Sequence, residues 1–156
     1  MNASPLLAAA LGLLLAAPHA LARDAGKPLG GEQVYQRTCF ACHQSGVAHA
    51  PTFGDAKAWA PLIEEGQAVL TAHAFVGVRA MPERGGDDKL SLEEFARAVA
   101  YMARQAGGNW QDPDRALMFA IRAEAQKRLD REIAAKQKLR KELRAQNAAT
   151  EAARKR

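Results

Sequence analysis

Two thiols and an imidazole stand close together in one short stretch of this 156-residue chain. Cys39 and Cys42 are its only cysteines, and His43 follows the second of them directly. Residues three apart on a helix lie on nearly the same face, so both thiols would reach the same bound group. Such a pair suits a disulfide, a zinc site, a thioredoxin-like redox pair or the attachment of a porphyrin.

The first three of these chemistries fit the rest of the sequence poorly. A Cys-x-x-Cys disulfide closes a very small loop and would add little stability. Zinc sites usually show a second tight pair of ligands, whereas only the scattered His49 and His73 are on offer. A thioredoxin-like pair needs a strand before its helix, and the sequence predicts no strand. Cys-x-x-Cys-His is instead the attachment signature of c-type haem, in which the thiols form two thioethers and the histidine binds iron.

A second axial ligand of the iron has five candidates in the chain. They are Met81, Met102, Met118, His49 and His73. Met81 lies in the loop "RAMPERGG", where a proline and two glycines favour a fixed, non-helical path. Met102 falls on the predicted core face of a helix, and Met118 lies in the C-terminal segment. His49 is too near the binding helix to cross the haem, and His73 lies in mid-helix. We therefore predict Met81, since His/Met ligation is usual in electron-transfer cytochromes.

The N-terminus has the pattern of an export signal. An apolar run, "LLAAALGLLLAA", is too short to span a bilayer comfortably, and Ala20-Leu21-Ala22 matches the small-x-small cleavage rule. We predict a signal peptide over residues 1–22 and a periplasmic protein. The alternative is a buried or membrane-anchoring helix, because no Lys or Arg precedes the apolar run.

Charge divides the rest of the chain into two parts. Residues 23–113 carry nine Lys/Arg and eleven Asp/Glu, a net charge of −2, whereas residues 114–156 carry thirteen and six, a net of +7. We predict a polar leader over 23–29, a globular domain over 30–108 and a basic helical extension over 109–156.

Helix signals predict an all-α domain. Predicted helices cover residues 31–43, 55–65, 67–76 and 91–106. Ser91 and Glu94 form a capping box, and Asp55 is a second N-cap. Asp112 is the predicted N-cap of the C-terminal helix, with Pro113 at its first position.

Five segments of the domain resemble class I c-type cytochromes, most closely the bacterial cytochrome c-five family. They are "GEQVYQRTCFACH", "GVAHAPTFGD", "WAPLIEEG", "AMPERGG" and "LSLEEFARAVAYM". The resemblance implies a small all-α fold wrapped around one covalently attached haem c, followed here by a long basic helix. It also implies that Cys39 and Cys42 carry the thioethers, His43 is the proximal iron ligand and Met81 the distal one.

The resemblance assigns supporting roles to three further residues. The backbone carbonyl of Pro51 would fix the ring of His43. Trp59 would pack on the haem edge and donate to a propionate, or else be a core aromatic. Gly31 would let the first helix approach the last domain helix near Tyr101. The cysteine pair that the c-five group often has after the methionine loop is missing, and Asp87 or Asp88 would tighten that turn instead.

These features predict a periplasmic monohaem electron carrier, not an enzyme, whose partners are redox proteins such as respiratory complexes or reductases. Contact would form around Val47, Ala48 and Ala80. The alternatives are a haem-based sensor or small-ligand binder, and an electron-transfer subunit tethered to an enzyme complex by its basic tail. Residues 114–156 fit a solvated helix that contacts a partner, a patch for a membrane surface or an anionic partner, or a frayed tail. Export argues against nucleic acid as that partner. A coiled-coil dimer fits less well because no heptad is sustained.

Overall fold

A computed structural model describes residues 28–155 of the chain. The predicted signal peptide, 1–22, and residues 23–27 of the predicted leader lie outside the described residues. Within them every regular element is helical, apart from one isolated β-bridge between Val78 and Met81. The all-α prediction is therefore confirmed. No helix in this part of the chain combines the length and the apolar character that a membrane span requires.

Six α-helices follow one another along the described residues. They are α1 (Gly31–Val34), α2 (Phe40–His43), α3 (Ala56–Glu64), α4 (Gln67–Val76), α5 (Leu92–Gln105) and α6 (Arg115–Arg154). Three tighter or wider turns complete the set: a π-helical turn (Tyr35–Cys39) and two 3-10 turns (Val47–His49 and Glu83–Gly86).

The predicted helix over residues 31–43 forms as one helical run, α1 to α2, with the π-helical turn in its middle. The backbone N–H of Phe40 donates to the carbonyl of Tyr35, five residues back. A π-helical turn holds an extra residue and rotates the next part of the helix, and such turns recur at functional sites. Here the turn leads directly into the Cys-x-x-Cys-His residues. Val34 and Tyr35, predicted on the apolar side, are 0% and 1% exposed.

Caps define the next helices as predicted. The Asp55 carboxylate accepts the backbone N–H groups of Lys57 and Ala58 at 3.0 and 3.1 Å, which starts α3. Pro61 lies inside α3 without ending it. Helix α5 begins with the predicted capping box, in which the Ser91 hydroxyl accepts from the N–H of Glu94 at 3.2 Å.

Helices α1 and α5 cross at Gly31, as predicted. A Cβ atom on Gly31 would lie 2.9 Å from the Cβ of Tyr101, so only glycine fits the crossing. This contact closes the main apolar core. Its largest fully buried members include Val34, Tyr35, Leu90 and Phe95.

Helix α6 begins two residues later than predicted. Asp114, not Asp112, is its N-cap, and the carboxylate of Asp114 accepts from the N–H of Leu117 at 2.8 Å. Asp112 is instead paired with Arg104 of α5 at 3.1 Å. The prediction was wrong because an aspartate stands on each side of Pro113 and either could cap the helix. Asp112 is held by its ion pair with Arg104, a tertiary contact that the sequence does not reveal.

The beginning of α6 packs against the body of the protein. Met118, Ile121 and Ala125 are 5%, 0% and 7% exposed and form a second apolar cluster with Ala72 of α4 and Ala96 of α5. Beyond this docked part the helix is mostly exposed to solvent. The predicted extension, 109–156, therefore contributes part of the packed body.

Candidate haem site

The Cys-x-x-Cys-His residues end the first helical run. Neither cysteine forms a disulfide; Cys39 is buried and Cys42 is exposed. Burial, and secondly the charge of the neighbouring Cys42, raises the pKa of the Cys39 thiol to about 11. His43 is 7% exposed. The two thiols and the imidazole thus lie at the boundary between core and solvent, as a group bound at one edge of the domain would require.

His43 is held by two hydrogen bonds to the following loop. Its Nδ1 lies 2.9 Å from the carbonyl oxygen of Pro51, and its own carbonyl accepts from the N–H of Phe53 at 2.7 Å. A carbonyl oxygen only accepts, so Nδ1 carries the proton and donates. The lone pair of Nε2 is then free to bind a metal ion. The contact that the resemblance predicts for Pro51 is present.

Two residues of this loop were missed by sequence reasoning. The ring of Phe53 stacks on Tyr35, with centroids 4.2 Å apart and 22° between the planes. The carbonyl of Thr52 accepts from the indole Nε1–H of Trp59 at 2.9 Å. The only signal in the sequence is the turn segment "PTFGD", which gives no indication of which aromatic residue Phe53 meets.

Trp59 is 3% exposed, and its ring centroid lies 6.4 Å from that of His43. Its indole N–H donates to the carbonyl of Thr52. The structure thus places Trp59 as a buried aromatic beside the histidine, and its packing on the haem edge and contact with a propionate stay predictions.

Met81 closes a tight turn after α4. The N–H groups of Val78 and Met81 donate to each other's carbonyls at 3.1 and 2.9 Å, and Ala80 is exposed at the tip. Gly77, with φ +99, allows the turn: a Cβ there would lie 3.3 Å from the carbonyl oxygen of Met81. Met81 is partly buried against the same core cluster that holds Cys39 and Trp59.

The chain after Met81 is fastened to the helix that carries the cysteines. Arg37 forms an ion pair with Asp87 at 3.3 Å. A Cβ on Gly85 would lie 3.2 Å from the side chain of Thr38, so backbone and helix are in close contact. The other carboxylate oxygen of Asp87 accepts from the N–H of Lys89, and thereby tightens the turn as predicted.

The remaining candidate ligands lie elsewhere. Met102 and Met118 are buried in the two apolar clusters. His49 is exposed in its 3-10 turn, and His73 lies between Glu65 and Glu124 at 3.7 and 3.6 Å. No group of three or more His, Cys, Asp or Glu gathers around a possible metal position in residues 28–155.

These residues fit a covalently attached haem. Two free thiols are available for the vinyl groups, and an imidazole with a preset tautomer offers one nitrogen to the iron. The aromatic residues beside them, Trp59 and the Tyr35–Phe53 stack, supply an apolar setting.

An all-α fold with such a Cys-x-x-Cys-His helix and a methionine loop fastened to it defines a class I c-type cytochrome. Residues 26–102 match the family described as cytochrome c oxidase, cbb3-type, subunit III. The chain is 37% identical over 97 residues to cytochrome c-555 of Chlorobaculum tepidum, covering 60% of this chain and 87% of that protein. It is 32% identical over 80 residues to cytochrome c5 of Azotobacter vinelandii, covering 50% and 96%.

The chain therefore belongs to the c-type cytochromes that include cytochromes c-555 and c5, and it carries covalently bound haem c. Proteins of this family transfer electrons. A solved structure is titled as an electron transfer complex of nitrite reductase with cytochrome c, and one of its chains is 45% identical to this protein. The alignment covers 49% of this chain and 93% of the other chain, with a TM-score of 0.47. The family match ends at Met102, before α6 begins.

Proposed function

We propose that this protein is a periplasmic electron carrier with one haem, whose iron is bound by His43 and Met81. The observation that carries the proposal is the fixed His43 ring, with Nε2 free, directly beside two thiols that form no disulfide. A bound haem c supplies the redox chemistry: its iron takes up and gives back one electron. No step of this function needs a catalytic base, so we propose a carrier and not an enzyme.

Each residue of the site has a distinct task in this proposal. Cys39 and Cys42 bind the haem through two thioethers, and the Pro51 carbonyl keeps the His43 ring turned toward the iron. Met81 is the distal ligand. Its support is the Arg37–Asp87 ion pair and the contact of the following turn with the binding helix, which fix the path of the methionine loop.

Redox partners would contact the solvent side of the attachment helix. Phe40 of that helix and Val47 of the following 3-10 turn are 43% and 51% exposed, and Cys42 is exposed as well. Ala48 and Ala80, the other two residues of the predicted contact region, are exposed as well. Apolar side chains around an electron-exchange edge suit brief encounters with larger redox proteins, such as respiratory complexes or reductases.

The proposed periplasmic location rests on predicted export. The predicted signal peptide and the relatives' family both fit attachment of haem outside the cytoplasm. The test of this part is the N-terminus of the protein recovered from a periplasmic extract, which should begin at Arg23.

The test of the site is a pair of absorption spectra, oxidised and reduced, with a pyridine haemochrome assay. We expect a c-type haemochrome and a weak band near 695 nm in the ferric protein, which reports Met ligation. Met81→Ala should abolish that band and leave the thioether-bound haem. Met118→Leu, the matched control on α6, should keep it.

Carbon monoxide separates the carrier from the haem-based sensor. The reduced protein should bind it slowly and incompletely at neutral pH, because a sixth ligand must first leave; Met81→Ala should bind it quickly. Fast, complete binding by the unaltered protein, or a 695 nm band that survives Met81→Ala, would contradict His43/Met81 ligation.

A further inference from the structure

Charge is distributed unevenly around helix α6. At 100° per residue, one strip of the helix about 60° wide contains four arginines and two large apolar residues. They are Arg115, Phe119, Arg122, Ile133, Arg140 and Arg144. We call this strip the basic face. All six side chains are exposed or partly exposed, so the docking of α6 onto the body leaves the strip open to solvent.

Three cations on the other sides of α6 form ion pairs with glutamates of the same helix. Lys127 and Arg131 both pair with Glu124, and Arg128 pairs with Glu132. Among the residues that the structure describes, the four arginines of the basic face form no ion pair. Between Arg115 and Arg144 this strip contains no acidic residue, so its four arginines keep their charge for an external anion.

Large apolar side chains lie between these arginines. Phe119 is 73% exposed, the highest value for a large hydrophobic residue in the described chain, and Ile133 is 50% exposed. Arg115 and Arg122 flank Phe119 one turn away on either side. Exposing a phenyl ring to water to this extent is unfavourable. Together with the arginines beside it, the ring gives the face the apolar and the cationic side chains that a contact with a membrane interface needs.

The shape of the basic face favours a flat partner. From Arg115 to Arg144 the straight helix rises roughly 44 Å, at about 1.5 Å per residue. A strip this long and this narrow suits a planar surface better than the compact patch of a typical protein interface. Arginine binds phosphate oxygens through two parallel hydrogen bonds, and its charge persists at any relevant pH.

We propose that α6 lies on an anionic phospholipid surface through its basic face. The arginines bind lipid phosphates, and Phe119 and Ile133 enter the headgroup region. The rest of the protein, with a net charge of −2 over residues 23–113, is repelled by the same surface and stays on its aqueous side. Binding in this manner would hold the cytochrome at the membrane surface through α6 alone. The proposal does not depend on the proposed electron transfer.

The test is co-sedimentation of the haem-loaded full chain with large unilamellar vesicles. One set contains phosphatidylcholine alone and the other about 30% phosphatidylglycerol. We expect binding to the anionic vesicles at low ionic strength, release as salt is raised, and little binding to the neutral ones. The quadruple variant R115Q/R122Q/R140Q/R144Q should lower the partition coefficient by at least about thirtyfold, given the usual contribution of each cation near an anionic surface.

A matched control removes the same charge from the other sides of the helix. K127Q/R131Q/K138Q/K141Q should lower partitioning by no more than about threefold, since these residues lie away from the basic face. Phe119→Ser should weaken binding at high salt most, where the apolar contact remains. Equal losses in the two quadruple variants, or no binding to anionic vesicles at low salt, would overturn the proposal. So would self-association through the basic face, detected by light scattering without vesicles.

Discussion

His43 shows how a single residue is prepared for its ligand by its neighbours. The ring donates to the Pro51 carbonyl and the main chain accepts from Phe53, so both the ring and the helix end are fixed by one loop. Preset orientation lowers the entropy lost on ligand binding. The motif itself identifies the chemical groups, but only the folded loop determines which nitrogen carries the proton.

Gly31 offers the sharpest prediction for a single residue. Gly31→Ala would place a methyl group about 2.9 Å from the Cβ of Tyr101 and closer still to backbone atoms of Arg97. Backbone atoms cannot rotate away, so we expect a loss of at least about 2 kcal/mol in the free energy of unfolding. Thermal melts of the oxidised protein measure it, as a fall in Tm of roughly 8 °C or more.

Gly30→Ala is the control for that substitution. Gly30 is adjacent, has an extended backbone and has only a flexible Gln33 side-chain atom within reach at 3.6 Å. The melting temperature of the Gly30→Ala protein should differ from that of the unaltered protein by at most a few degrees. Equal melting temperatures for both variants would show that α1 and α5 do not cross as closely as the structure has it.

At the scale of elements, the first turn of α5 links stability to pH. The backbone N–H of Leu29 donates to Glu94, as do the Ser91 hydroxyl and N–H, and these bonds lower the pKa of the Glu94 carboxyl below its ordinary value of 4.5. The ionised form is thus favoured in the folded state. Its contribution is complete above pH 4.5 and is lost as the pH falls through the lower, folded-state pKa.

Glu94→Gln should therefore flatten the decline of Tm between about pH 5 and pH 3 and lower Tm at neutral pH. The Ser91→Ala variant should cost about 1 kcal/mol at neutral pH through the lost cap. Glu93→Gln is the matched control: it removes a carboxylate of the same turn that pairs with Arg97 and accepts no hydrogen bond from Leu29 or Ser91. A Glu94→Gln protein as acid-sensitive as the unaltered chain would contradict the linkage.

The docking of α6 is tested by two isoleucines on that one helix. Ile121 is 0% exposed against α4 and α5, whereas Ile133 is 50% exposed. Ile121→Ala should cost about 2–4 kcal/mol in unfolding free energy, through lost burial and a cavity. Ile133→Ala should change it by less than about 0.5 kcal/mol. Denaturant titrations followed by far-UV circular dichroism compare them; equal effects would mean that α6 does not dock.

Sequence reasoning located most elements because their caps are local. The bounds of α4 and the capping box of α5 were predicted from a glycine and from two side chains three residues apart. The π-helical turn was missed, since no residue type signals an extra residue within a helix. The docking of α6 was missed as well: its contacts on the body are Ala72 and Ala96, and a buried alanine looks like any helix-forming alanine.

On the scale of the whole molecule, the candidate site was predictable as far as its motif extends. Cys39, Cys42 and His43 lie within one stretch of five residues, so the sequence alone predicts their role in haem attachment. Thr52 and Phe53 contribute through a carbonyl and a stacked ring, which depend on where a loop folds. The Met81 loop is fastened by Arg37 and Asp87, fifty residues apart in the chain, and such a pair becomes visible only in three dimensions.

Two truncations test whether the beginning of α6, which lies outside the family match, belongs to the packed body of the protein. A chain that stops after Pro113 keeps the buried Trp110 but lacks Met118 and Ile121 and exposes Ala72 and Ala96; each buried side chain of the larger kind contributes roughly 2 kcal/mol. After the offsetting entropy of ordering the helix, we expect unfolding to become at least about 1 kcal/mol easier, a fall in Tm of several degrees.

A chain that stops after Ala134 keeps the docked cluster and the bond from Arg128 to the carbonyl of Gly77, so it should melt like the full chain. Both truncated proteins should keep the haem spectrum, because α6 contacts α4 and α5 and not the Cys39–His43 segment. If both truncated chains melt like the full protein, α6 is an independent appendage and does not dock. One side of the first turns of α6 then completes the cytochrome's packing, while the basic face of the same helix stays open to contact a surface.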